Sequence, residues 1–222
     1  MFIILNQQLI NAAEKDDLEG FKNLVLSFSF KKNTCEDSIQ VLPYKDSFLS
    51  STQWEYYHFV MTPGGYSDAV FLPPSKESFA RSSSLCQKAL LEIKNVAPTY
   101  YAEVQQFVSH ILIVHSDKFE AGSSFDVLGL ITFIESLDFR TLVEHIVHET
   151  AHQYLYNVMT FDQVCSGEGL YESPLRKDPR PLEGIYHATF VLARIIDFYK
   201  HALKNNSSLP KEHIKKQVDH YL

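Results

Sequence analysis

Cysteine is scarce: Cys35, Cys86 and Cys165 are the only three in 222 residues, and no C-x-x-C pair occurs among them. An odd set without that spacing argues against a cysteine-based zinc site and fits reduced thiols in a cytosolic protein. Long apolar runs are missing as well. None approaches the roughly 18 residues that a membrane-spanning helix needs. The opening Met1-Phe-Ile-Ile-Leu5 turns polar at Asn6 and follows no basic region, so it is too short for a signal-peptide core and none is expected. There is no basic block and no basic–aromatic stripe. With 20 Lys and Arg against 27 Asp and Glu, the formal net charge is −7, and a nucleic-acid partner is not expected. Internal repeats and low-complexity segments are absent too.

What is there is an ordinary globular balance, 45% hydrophobic and 21% charged, in a chain long enough for one domain with a sizeable core. Apolar residues at three- and four-residue steps predict a helix over about 6–30 (Leu9, Ala12, Ala13, Leu18, Phe21, Leu24, Val25). Residues 31–84, with Pro43, Pro63-Gly64-Gly65, Pro73-Pro74 and interleaved aromatics (Trp54, Tyr56, Tyr57, Phe59), read as short segments and loops. A helix over about 85–96 is stopped by Pro98. Phe107–His115 reads as a buried strand. Phe125–Ile134 reads as a second, after a turn at Gly122 and its two serines. Helices follow over about 140–156 and 181–203, the latter with Pro179 and Pro181 at its start, and a short polar helix closes the chain from about Pro210. The expected division is an N-terminal helical or irregular layer over residues 1–100 and a catalytic core over 101–204, within one domain.

The 140–156 helix carries His148-Glu149-Thr150-Ala151-His152, an H-E-x-x-H. Residues four apart stack on one helix face, so both imidazoles can reach one ion, while Glu149 is turned by roughly 100° and sits beside it. The match is short, and chance occurrences are common. Here the surrounding residues are apolar (Leu142, Val143, Ile146, Val147, Ala151, Leu155), which places the imidazoles inside the protein, where polar groups need partners. A third ligand is required. His187 on the next helix is the first choice, with Gly184 and Ala188 allowing close packing. Glu183, one turn earlier, is the second choice and would give two His and one carboxylate. Glu168 and Glu172 are weaker, because they lie in the connecting loop. His145 is expected to pack or cap, and His110 and His115 to be core or strand-end residues. Two strands, a motif helix, a loop and a further helix form the layout of a zincin-like α+β core, a small sheet over a helix pair.

Three arginines follow the motif: Arg176, Arg180 and Arg194, the last two helical turns beyond His187. The ordinary role of each is a salt bridge or a solvated stem. A guanidinium fork also matches a carboxylate bidentately. A zinc peptidase does not require that. An iron enzyme using 2-oxoglutarate does, to anchor the distal carboxylate of the cosubstrate.

The stretch Arg176-Lys-Asp-Pro-Arg180-Pro-Leu-Glu-Gly184-Ile-Tyr-His187, after H-E-x-x-H, resembles the HExxH-type 2-oxoglutarate-dependent peptide β-hydroxylases over about residues 125–200. The resemblance implies an Fe(II)- and 2-oxoglutarate-dependent enzyme that hydroxylates a β-carbon in a ribosomally made precursor peptide. It implies His148, His152 and His187 as iron ligands, Glu149 beside the metal, and Arg176, Arg180 or Arg194 on the cosubstrate carboxylate. The 125–134 strand, as an exposed edge, would pair with the extended peptide. Two other readings stay open. One is a zinc metallopeptidase with Glu149 as general base; the other is a peptide-binding module without metal. The residues name neither the peptide nor the oligomeric state.

Overall fold

The fold is taken from a computed structural model that describes residues 39–45, 54, 57, 61, 70–160, 164–167, 169–173 and 176–221, without the side chains of 173, 176 and 177. The helix expected over 6–30, the Pro63-Gly64-Gly65 segment, Tyr56, Phe59 and Cys35 lie outside these residues. Among the described residues the chain is α+β, with five helices, a four-stranded mixed sheet and a separate two-stranded hairpin.

Strand β1 is Gln40–Pro43. Helix α1 runs Lys76–Val96, opened by Ser75, whose hydroxyl accepts from the Ser78 amide. Its first nine residues are mostly serines and charges with little apolar periodicity, so the sequence marks only the half from Leu85 on. Pro98 ends α1 as expected, but it also starts α2, Pro98–Phe107. Proline at a first helical position loses only an amide that has no partner there. The strand expected over 107–115 is correspondingly shorter, β2 at His110–Val114.

The next hairpin corrects the sequence reading. Gly122 and its serines are not a turn: Ala121–Ser124 is strand β3, Phe125-Asp126 is the turn, and β4 is Val127–Ile134. The sheet order is β1-β2-β4-β3, with β1, β2 and β4 parallel and β3 antiparallel at the edge. The 125–134 strand is therefore interior, and the shorter β3 is the edge. The apolar run of β4 already fits an interior position, since a strand covered on both faces reads as continuously hydrophobic.

Both faces are covered. Ile111, Ile113, Ile131 and Phe133 point into a core shared with all five helices. Leu112, Val114, Val127 and Leu130 point the other way, into an aromatic cluster of Tyr44, Trp54, Tyr57 and Phe71. In that second layer the Tyr57 hydroxyl meets Thr132 Oγ1 at 2.8 Å, so the one polar residue in the middle of β4 is satisfied.

Helix α3, Phe139–Met159, is capped by Asp138, which accepts from the amides of Arg140 and Thr141. The segment read as a loop forms a hairpin, β5 Tyr171–Ser173 and β6 Arg176–Arg180. Helix α4, Leu182–Lys204, and the amphipathic α5, Lys211–Tyr221, complete the fold. Helix α3 is pinned to the sheet by Gln153, which is fully buried. Its amide donates to the Leu130 carbonyl at 3.2 Å and its oxygen accepts from the Gly129 amide at 2.8 Å. Gly129 holds φ +84°, and an added Cβ would lie 2.8 Å from Ser109 Oγ, so glycine is required there. No helix among the described residues is long and apolar enough to cross a membrane.

Candidate metal centre

The apolar positions of α3 (Leu142, Val143, Ile146, Val147, Ala151, Leu155) are buried and turn the helix against the sheet. This fixes where the motif points. His148, Glu149 and His152 each bring a donor atom within 4.8 Å of the other two. His148 Nε2 lies 3.0 Å from His152 Nε2. On α4, His187 comes in from the opposite side of the same ring, with its Nε2 2.5 Å from His152 Nδ1. The structure thus brings together the three histidines singled out in the sequence, with His152 in the middle and one ring nitrogen facing each neighbour.

Burial disfavours charge on these rings. His148 is pushed down to about 4, by desolvation first and then by His145. His187 is also lowered to about 4, by desolvation and then by the charge of Arg180. His152 falls well below the ordinary imidazole range, by desolvation and then by its two histidine neighbours. At neutral pH all three are therefore uncharged, the form that ligates a metal. Glu149 is 4% exposed, and burial raises its carboxyl from 4.5 to about 7, against the opposing effect of a hydrogen bond from Ser123.

Glu149 Oε2 accepts from the Ser123 hydroxyl at 2.6 Å, while Oε1 lies 4.0 Å from His148 Nε2. Tyr156, one turn beyond His152, stacks on that ring at 5.9 Å and meets His187 edge-on at 5.1 Å. Neither Ser123 nor Tyr156 was marked by the sequence reading. The repeat of four from 148 to 152 to 156 was a signal for the tyrosine; for the serine, read as part of a turn, there was none. One turn before His148, Glu144 accepts hydroxyls from Tyr199 on α4 at 2.5 Å and Tyr221 on α5 at 2.6 Å. Two helices are thereby tied to the motif helix.

The remaining candidates separate. Arg194 is engaged away from the histidines: it pairs with Glu103 on α2 and lies over the rings of Tyr100, Tyr154 and Phe190 at 4.9, 5.2 and 5.5 Å. Its position two turns from His187 puts it in an interhelical contact, and a guanidinium so committed is a poor anchor for a second carboxylate. Arg180 ends β6 and packs along α4 at Gly184, where an added Cβ would lie 4.0 Å from its Nε, and its charge reaches His187. Among the described residues no carboxylate pairs with Arg180. Arg176 lies on β6, its side chain outside the described residues. Glu183 and Glu172 are exposed, and Glu168 lies outside the described residues. His145 stacks on Phe133, with Nε2 3.3 Å from Glu120 Oε1. His110 is buried against Ser109, and His115 pairs at the surface with Glu135 at 2.7 Å. Cys86 is buried and its thiol is raised to about 12, so it is inert, and Cys165 is a free thiol in the loop after α3. No protein-family model and no curated protein sequence matches this chain.

Proposed function

We propose that the chain is a metal-dependent oxygenase: an Fe(II)- and 2-oxoglutarate-dependent hydroxylase of peptide side chains, built on a zincin-like core. The observation that carries this reading is the pairing of a third histidine, His187, with Arg180 at its side, an arginine with which no carboxylate among the described residues pairs. The donor set suits a borderline metal such as iron or zinc: neutral imidazoles, held so by burial, with a carboxylate beside them. With iron bound, O2 and 2-oxoglutarate would supply the oxidising chemistry, one oxygen atom going to the peptide carbon and the other to succinate as CO2 leaves. The chain's own groups do the rest. His148, His152 and His187 would be the ligands. Arg180 would grip the distal carboxylate of the cosubstrate through its fork. Tyr156 contacts the rings of His152 and His187 and would cover them on one side, itself meeting Phe125 edge to face at 5.8 Å. The edge strand β3 would present its backbone to an extended peptide.

A zinc peptidase is the second reading, and one observation favours it. A buried carboxyl raised to about 7 beside the histidines suits a general base at neutral pH. Anaerobic titration separates the two. The oxygenase reading expects a charge-transfer absorption band that needs both Fe(II) and 2-oxoglutarate, lost in His187→Ala and weakened in Arg180→Ala but retained in Arg194→Lys. Stoichiometric zinc in the purified protein, no such band, and peptide cleavage abolished by Glu149→Gln would overturn it in favour of the peptidase. A protein that takes up neither metal would leave the peptide-binding module.

A further inference from the structure

The two oxygens of Glu149 have different neighbours, and a residue of another element makes the difference. Oε2 accepts from Ser123 on β3, and Oε1 faces His148 Nε2 at 4.0 Å. The carboxylate is 4% exposed, so little water competes for either oxygen. Strand β3 is well placed to hold such a group. Its pairing with β4 is regular from Ala121 to Ser123, and the register breaks between Ser123 and Ser124. A break of this kind re-aims a side chain, and such irregularities gather at sheet edges and next to sites. The strand is seated closely as well: a Cβ on Gly122 would come within 3.0 Å of the Phe119 ring, so the backbone next to Ser123 lies where only glycine fits without displacement.

We infer that Ser123 is a positioning residue for Glu149: by holding Oε2 from the edge strand it leaves Oε1 turned to the histidines. This deepens the metal-site reading and rests on it. A consequence is that the edge strand and the acidic group share one hydroxyl. A peptide pairing with β3 would then bear on the carboxylate through the strand itself, with no separate lid.

The test uses the full chain with Co(II) as the probe ion, in wild type, Ser123→Ala, Ser123→Thr, Glu149→Ala and the Ser123→Ala/Glu149→Ala double variant. Ser123→Ala is expected to change the visible Co(II) absorption envelope, because the freed carboxylate changes its approach to the ion. Ser123→Thr, which keeps the hydroxyl, restores the wild-type envelope, and Ser123→Ala has no further effect once Glu149 is Ala, which leaves the hydroxyl no acceptor. An envelope indifferent to Ser123→Ala overturns the inference, as does a Ser123→Ala effect that persists undiminished in the Glu149→Ala background. If wild type takes up no Co(II), the metal reading fails, and the metal-free protein decides the fate of Ser123. There, denaturant unfolding of the same four-way cycle is expected to show coupling of roughly tenfold in the unfolding equilibrium constant, as for a hydrogen bond to a buried polar partner. Additive effects would overturn the role of Ser123 on their own.

Discussion

Replacing Glu149 by Gln in the metal-free protein is expected to stabilise it, and to do so more as pH rises. The carboxyl is buried and raised from 4.5 to about 7. Below pH 4.5 it is protonated in both folded and unfolded chains, and pH has no differential effect. Between 4.5 and 7 the unfolded chain releases a proton that the folded chain retains, so stability falls as pH rises; above 7 the full penalty applies. At 1.36 kcal/mol for each tenfold, the interval corresponds to about 3 kcal/mol as an upper bound. Gln keeps the oxygen that accepts from Ser123 and removes the titration. The gain over wild type should therefore be near zero at pH 4.5 and approach about 3 kcal/mol at pH 8. Urea unfolding of both proteins, freed of metal by chelation, measures this as a difference of midpoints at each pH. The histidines titrate in both proteins, and their contribution, which opposes stability as pH falls from 6.5 toward 4, cancels to first order in that difference. A gain independent of pH, or a loss at pH 8, would refute the reasoning by showing that Glu149 ionises freely in the fold.

Other outcomes follow from particular contacts. Arg194→Lys removes the guanidinium plane from Tyr100, Tyr154 and Phe190 and loosens the pair with Glu103; a loss of about 1–3 kcal/mol in thermal or urea unfolding is expected, with metal affinity unchanged. Gly129→Ala forces a side chain to φ +84° against Ser109 and should cost at least about 1–3 kcal/mol, visible as a lowered melting temperature. Tyr221→Phe leaves one oxygen of Glu144 without its hydroxyl and should cost about 1 kcal/mol, with faster hydrogen exchange in α5 than in α3. A ligating metal should raise the melting temperature of wild type but not of His148→Ala, and because burial holds His148 and His187 down to about 4 the increase should persist at pH 6 and fade only as pH approaches 4.

Much of this arrangement was legible where one element carries its own pattern. The apolar spacing of α3 and α4 gave both helices to within a few residues, and H-E-x-x-H gave two histidines on one face because the helix repeat alone dictates that. His187 was reachable through Gly184 and Ala188, since small residues let α4 approach α3. What failed was whatever depends on pairing. The order of strands is a tertiary outcome, so the edge passed from the apolar 125–134 run to Ala121–Ser124, whose glycine and serines look like a turn. The first half of α1 was invisible because its residues are mostly serines and charges without apolar periodicity; even the serine that is buried there, Ser82, donates to the Glu135 carbonyl and carries no hydrophobic signal. Arg194 shows the same limit from the other side. Its spacing from His187 was read correctly, but Glu103, on a helix that sequence pattern did not reveal, takes its charge.

The middle position of His152 bears most directly on the choice between chemistries. A neutral imidazole carries one proton and one lone pair, so a row of three rings can satisfy both contacts, each ring passing its hydrogen to the next. The structure has that row, with His148 at Nε2 of the central ring and His187 at Nδ1. One ion, by contrast, takes one nitrogen from each ring. His152 cannot offer both nitrogens to the same ion, so ligation by all three histidines requires a rearrangement: the central ring turning about its Cβ–Cγ bond, or His187 swinging toward its Nε2 side. Ligation through His148 and His152, with Glu149 alongside, requires no turn, because their donor atoms already lie within 4.8 Å of one another. The stacking of Tyr156 on His152 resists that rotation and its edge contact with His187 sets where the third ring waits. Tyr156→Ala should therefore shift metal binding between two- and three-histidine modes, read as a change in the Co(II) spectrum that His187→Ala abolishes. A spectrum that responds to Tyr156 equally with and without His187 would show that the tyrosine acts on His152 alone.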